Sequence, residues 1–361
     1  MPSKLLSATF ALLLLVIGVR AQQPAIATQS KTFDKFYQIL NDNYAFFDLH
    51  HVDWQASYKK YRPKVNDQIS NDSLFHIMSA MVKPLGDSHV NIIDAKHKKK
   101  FNAAGLSAFA RAFYNDSLKT AFWQMTDSTL VSNGFASVKG YGSVFKGKHL
   151  FYFSKSRDHG YLRFSRCFAK ITDGELDEKD FEMHVLDSLM ALCKDLKGMV
   201  IDVRANIGGD DKFSYEVAGR FTNKMVIGHY KQERIAKTNR YTKLQKWVIK
   251  PMGKYAFTKR VSILTNSKTV SAAEIFTLAM KQLPQVKTVG ENTEGNLSDM
   301  YSEGLPNGWE VTLSNQRYYS PKMVCYEGVG VPAYLKVSNT VADLKLMRDP
   351  VFERGLFELK K

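Results

Sequence analysis

Cysteine is scarce in this 361-residue chain: only Cys167, Cys193 and Cys325 occur. Their spacing fits no zinc site, and a chain long enough to bury a large core does not depend on a disulfide framework. They are read as buried free thiols. Long apolar runs are missing too. The stretch at 12–19 is too short to span a bilayer comfortably, and no later stretch is long enough and free enough of charge, so stable membrane insertion is not expected. The glycine pair at 208–209 lacks the lysine and the second spaced glycine of a phosphate-binding loop. Acidic residues are in deficit, 35 against 51 lysines and arginines, for a formal charge of +16. No aromatic-interleaved or helix-turn-helix pattern accompanies that charge. Its sharpest cluster, Lys96-His97-Lys98-Lys99-Lys100, falls where a linker is expected, so no nucleic-acid partner is anticipated.

What is present begins with a short basic head, the apolar run at 12–19 and Val19-Arg20-Ala21-Gln22-Gln23. This reads as a secretory leader, 1–21, cut after Ala21, which implies a secreted or periplasmic protein. No cysteine follows the cut, so no lipid attachment is expected there. About 340 residues remain, enough for roughly two domains. Over 22–100, Phe33, Phe36, Ile39 and Leu40, then Leu74, Ile77, Met78 and Met81, recur at helical spacing and predict a helical domain. It ends at Pro84-Leu85-Gly86-Asp87-Ser88-His89, which puts His89 at a turn before a short strand at 90–93. Residues 101–157 mix β-like runs such as 149–153 with turns such as Gly140-Tyr141-Gly142, and predict a β-rich connector. From 158 to 361 strands alternate with helices, the sign of an α/β core. Strands are expected at 161–164, 198–203, 261–264 and 286–289, helices at 181–196 and 271–281, and a hairpin from 309–313 and 317–319.

Three features could carry chemistry. Ser271 follows a strand and a loop and opens a helix, where free amides point outward and stabilise a developing oxyanion. The same serine, with Glu274 three residues on, also reads as an ordinary capping box. The Asn206-Ile207-Gly208-Gly209 loop after an apolar strand suits an anion nest or a plain turn. His89 is a base of the usual kind for a serine nucleophile, or a structural histidine. Glu327, in a glycine-rich loop, could orient that histidine or be solvated.

Taken together, Ile201-Asp202-Val203-Arg204-Ala205-Asn206-Ile207-Gly208-Gly209, Leu264-Thr265-Asn266 with Thr269-Val270-Ser271-Ala272-Ala273-Glu274, and Val289-Gly290-Glu291-Asn292-Thr293-Glu294-Gly295 resemble, in order and spacing, the carboxyl-terminal processing protease and tricorn-core family of serine peptidases. The resemblance covers roughly 160–340 and, more loosely, the helical region ending at His89. It implies a crotonase-like α/β core and hydrolysis of a peptide or protein substrate through an acyl-enzyme, without metal or cofactor. Ser271 would be the nucleophile, with Ala272 and the Gly208-Gly209 turn as the oxyanion hole. The processing branch places a lysine where this chain has Asn296, so a Ser-Lys dyad is not expected. The tricorn-like branch implies a tetrad: Ser271, the base His89, and Ser88 with Glu327 supporting the imidazole. The segment between His89 and Gly160 is too short for a complete PDZ domain. The alternative is a non-catalytic binding protein on the same fold. Oligomeric state is not legible.

Overall fold

The computed structural model describes residues 28–172, 175–177 and 180–361; the leader expected at 1–21 lies outside the described residues. Helix Gln29–Asn43 starts at Thr28, whose hydroxyl accepts the Lys31 N–H, and buries Phe33, Phe36, Ile39 and Leu40 as their spacing requires. Helix Asn71–Val82 is capped in the same way by Ser70 and buries Leu74, Met78 and Met81. This early layer is not purely helical. Strands Asn91–Asp94 and Lys99–Asn102 form a four-stranded antiparallel sheet with Met300–Gly304 and Glu310–Ser314 from late in the chain. Leu305, Trp309, Val311 and Leu313 therefore share one apolar core with the first three helices. The basic cluster at 96–100 lies in the turn and second strand of this sheet's first hairpin, not in a linker.

The expected 309–313/317–319 hairpin does not form. Glu310–Ser314 pairs with Asn91–Asp94, while Gln316–Tyr319 pairs with Val226–Glu233 in another sheet. Asn315 alone separates the two strands, and a hairpin needs at least two residues to turn.

The larger core is a seven-stranded sheet ordered Leu335–Lys336, Val286–Gly290, Arg260–Thr265, Gly198–Asp202, His159–Phe164, Lys148–Lys155, Lys139–Phe145. The first five strands are parallel and the last two antiparallel. Gly198–Asp202 is buried along its whole length, as a central parallel strand covered on both faces must be. Helices Asp211–Ala218 and Ala272–Met280 pack on one face. On the other, Val351, Phe352, Leu356 and Leu359 of helix Pro350–Lys360 cover Val200, Leu264 and Val289.

The β-rich connector expected at 101–157 is corrected. That segment holds helices Ala108–Ala112 and Asp116–Ser132, and its two strands are the antiparallel edge of the core sheet. Phe109, Phe113, Phe122 and Met125 pack among themselves as a satellite core of these helices. Gly140 and Gly142 sit inside strand Lys139–Phe145, not in a turn: Gly140 pairs with Tyr152, and Gly142 falls in the register shift between Tyr141 and Val144.

Just past the central strand, Arg204 is almost wholly buried between two carboxylates, Asp202 at 2.6 Å and Asp349 at 2.8 Å. Asp349 also accepts the Val351 and Phe352 N–H groups that open the last helix and the Thr126 hydroxyl of helix Asp116–Ser132. Removing one partner of a buried pair strands the other charge. Asp349→Ala should therefore cost about 3–5 kcal/mol of stability, measured by urea unfolding; a loss below about 1 kcal/mol would contradict this account.

Candidate active site

Strand Arg260–Thr265 delivers the chain to a loop, 266–270, that is laced to the loop after strand Gly198–Asp202. Asn266 Oδ1 accepts the Ala205 and Lys268 N–H groups, Thr269 donates its hydroxyl to the Val203 carbonyl at 2.8 Å, and the Val270 N–H donates to the Asn206 carbonyl at 3.2 Å. Ser271 follows with φ 57° and ψ −129°. An ordinary N-cap is extended; a non-glycine residue in this region stores backbone strain and holds it only where its surroundings over-determine it.

Glu274 supplies much of that determination. Its carboxylate accepts the N–H of Ser271 at 3.1 Å, of Gly295 at 2.7 Å and of Asn296 at 2.8 Å, together with the Thr293 hydroxyl at 2.5 Å. Burial pushes its pKa up to about 7 against the lowering effect of these donors. The capping-box spacing points to Glu274, but nothing local shows that the same carboxylate gathers residues 293–296 behind the serine.

The glycine pair divides its labour. A Cβ on Gly208 would stand 2.7 Å from the Ser271 Cβ and 2.7 Å from the Val270 carbonyl oxygen, and its φ is +77°. Glycine is thus required for close approach. The Gly208 N–H is already donated to Asn206 Oδ1 at 2.9 Å, so this amide is not free as an oxyanion donor. Among the described residues the Gly209 and Ala272 N–H groups have no acceptor.

His89 stands in the turn that follows residues Lys83–Leu85, with Gly86 left-handed at φ 59°. The turn is held by its backbone: the His89 N–H donates to Asp87 Oδ1 at 2.7 Å, and its carbonyl accepts the Thr312 hydroxyl at 2.6 Å. The imidazole is buried, and its Nδ1 has no partner. Burial holds its pKa below the usual histidine value, opposed by the charges of Asp87, Glu294 and Asp299. Ser88 donates its N–H to Asn296 Oδ1. Asn296 is therefore a joint that sequence reasoning used only to exclude a lysine: its carbonyl accepts the Ser271 N–H at 3.2 Å, and its side chain holds the turn that carries His89.

Ser271, His89, Ser88 and Gly209 line one cleft of about 1050 Å³. Among the described residues no hydrogen bond joins Ser271 to His89. Glu327 is not brought to the imidazole as a partner. It is buried, and one oxygen accepts the Leu297 N–H at 2.9 Å and the Ser298 N–H at 3.3 Å. Its other oxygen has no partner. Burial, then the charges of Asp87 and Glu274, push its pKa well above the carboxylate range. Lys268, the nearest lysine in sequence, is paired with Glu294 at 3.0 Å.

Because Gly208 approaches Ser271 so closely, Gly208→Ala should lower stability by about 1–3 kcal/mol through overpacking and left-handed strain. Thermal unfolding at matched pH would test this, and an unchanged midpoint would contradict it.

The sequence profile of Peptidase family S41 matches residues 158–337, and that of the Tricorn protease C1 domain matches residues 27–83. No curated protein matches the chain. Among solved structures, a candidate peptidase from Parabacteroides merdae is 24% identical with a TM-score of 0.76, the match covering 93% of this chain and 98% of that one. Mature CPAF is 10% identical with a TM-score of 0.63, covering 92% and 97%. The photosystem II D1 C-terminal processing protease is 13% identical with a TM-score of 0.53, covering 87% and 94%. At these identities the likeness of structures shows a shared fold. With the core and the early helices both matched in the expected order, this chain belongs to peptidase family S41.

Proposed function

We propose that the chain is an exported serine endopeptidase with a crotonase-like core, in which Ser271 is the nucleophile and His89 its base. The observation that carries this reading is a strained serine beside two amides without acceptors, in the same cleft as a buried imidazole with an unpartnered nitrogen. Ser271 Oγ attacks the scissile carbonyl while its proton passes to His89. The Gly209 and Ala272 N–H groups receive the oxyanion, His89 returns the proton to the leaving amine, and water then cleaves the acyl-enzyme. Gly208 serves by letting the two loops approach. Ser88 fixes the turn beneath the imidazole, and Glu327 braces the 297–298 backbone behind it. The pairing of Lys268 with Glu294 favours histidine over lysine as the base.

The partner is a peptide or protein, as the family's chemistry implies. Among the described residues no helix is long and apolar enough to cross a membrane. The reading of residues 1–21 as a leader rests on their sequence and places the protein in the periplasm or outside the cell. The competing reading, a binding protein on the same fold, does not require an unpartnered imidazole in the cleft of a strained serine.

Ser271→Ala should abolish both fluorophosphonate labelling and cleavage of a peptide library by the purified chain; equal labelling and cleavage in the two proteins would end the hypothesis. The acid limb of the labelling rate follows His89. Because burial disfavours the imidazolium, the base form persists below the ordinary pKa of about 6.5. The limb should then have its midpoint under that value, and a midpoint above it would exclude His89 as the titrating base. Glu327→Gln keeps a side-chain oxygen to accept the Leu297 and Ser298 N–H groups and should keep the labelling rate within about threefold. A loss of more than about thirtyfold would show that its charge is needed.

A further inference from the structure

A second cavity, of about 590 Å³, lies between helix Asp116–Ser132 and the antiparallel edge of the core sheet. It is distinct from the serine cleft and shares with it only Ile207. Its centre is Arg163. The guanidinium carbon stands 4.1 Å from the Trp123 ring centroid and 4.2 Å from that of Tyr152, so two aromatic faces fix the group. Arg163 is 5% exposed, yet among the described residues its side chain makes one hydrogen bond, to Asp127 at 3.4 Å. An arginine has five N–H donors, and no Arg163 nitrogen is among the buried atoms that lack a partner, so its unused donors open onto the cavity.

The surrounding charges do not remedy this. Arg166 is buried with its guanidinium given to the Ala169, Lys148 and Ser143 carbonyls and to hydroxyls; Glu182 acts on it through charge, with no hydrogen bond between them among the described residues. Lys146 and Lys148 stand at the same cavity, and burial holds Lys148 below the usual lysine value. The charge of Arg204 is taken up by Asp202 and Asp349. Asp127 is the acid left to the cavity, and burial raises its pKa, which weakens it as a counter-ion.

We propose that this cavity is a binding site for a small organic oxyanion, a carboxylate or phosphate on an apolar body. The anion would take the fork of N–H groups that Arg163 leaves unused, a geometry suited to bidentate oxyanion recognition. Lys148 would add a point charge, and the apolar body would lie against Phe145 and Trp123. The volume is that of a site for a ligand of about drug size. Ala205 and Ile207 form part of the wall, so an occupant would touch the reverse side of the loop that carries Gly209.

The site is tested by calorimetric titration of the full chain with 2-naphthoate, 1-naphthyl phosphate and the uncharged 2-naphthamide, a readout independent of peptidase activity. At least one anion should bind one-to-one, and about tenfold or more tighter than the amide; whichever binds tighter identifies the oxyanion. Arg163→Met should weaken the anion about tenfold. If that variant does not fold, Lys148→Gln should weaken it and Asp127→Asn should strengthen it. Equal affinity for anion and amide, no binding of either anion at millimolar concentration, or anion affinity unchanged in both Lys148→Gln and Asp127→Asn would overturn the proposal.

Discussion

The arrangement around Ser271 depends on one buried carboxylate. Glu274 has no exposed surface and must be compensated where it stands, because a desolvated charge without donors is far costlier than any single contact around it. Its donors come from its own helix start and from residues 293–296, so satisfying Glu274 and assembling the site are the same event. Its pKa of about 7 indicates that the compensation is incomplete: desolvation outweighs four donors, and near neutrality the group is poised between charged and neutral forms. Either form keeps the carboxyl as an acceptor for most of these bonds.

Asn296 carries the constraint further. Its N–H is held by Glu274, its carbonyl by Ser271 and its side-chain oxygen by Ser88, so one residue ties the serine to the turn that carries His89. The strain at Ser271 and at Ala205, φ 55°, is of order 1–3 kcal/mol each. Neither could persist in isolated loops. Both sit where backbone and side-chain bonds cross between the 204–210 and 266–271 segments, and Gly208 lets those segments meet without a clash of Cβ atoms.

Much of this was legible in the sequence because its signals are local. The apolar strand at 198–202, the glycine pair and the serine at a helix start each declare themselves within a few residues, and helical spacing marks Phe33 to Leu40 and Leu74 to Met81. What escaped depends on partners far along the chain. The strand Glu310–Ser314 looks like half of a hairpin until Asn91–Asp94 is available to pair with it, and the segment 101–157 reads as β-rich although Phe109 to Met125 pack on one another from two helices. Glu327 stands where the chain order expects an acid, but the amides of Leu297 and Ser298 claim it. No periodicity reports which of two polar groups a buried carboxylate will meet.

The shared four-stranded sheet bears on how the imidazole could reach the serine. Were His89 on a separate helical domain, closure about a hinge could bring it in. Instead Asn91–Asp94 pairs directly with Glu310–Ser314, the His89 carbonyl holds Thr312, and Ser88 is bound to Asn296. A hinge motion would have to break these bonds together, each worth about 0.5–1.5 kcal/mol net and more where a buried group is left unmatched. Rotation of the imidazole about its own side-chain torsions breaks none of them, since Nδ1 has no partner to lose. For the proposed pairing of Ser271 with His89, a change of side-chain torsions therefore costs fewer of these bonds than a hinge motion.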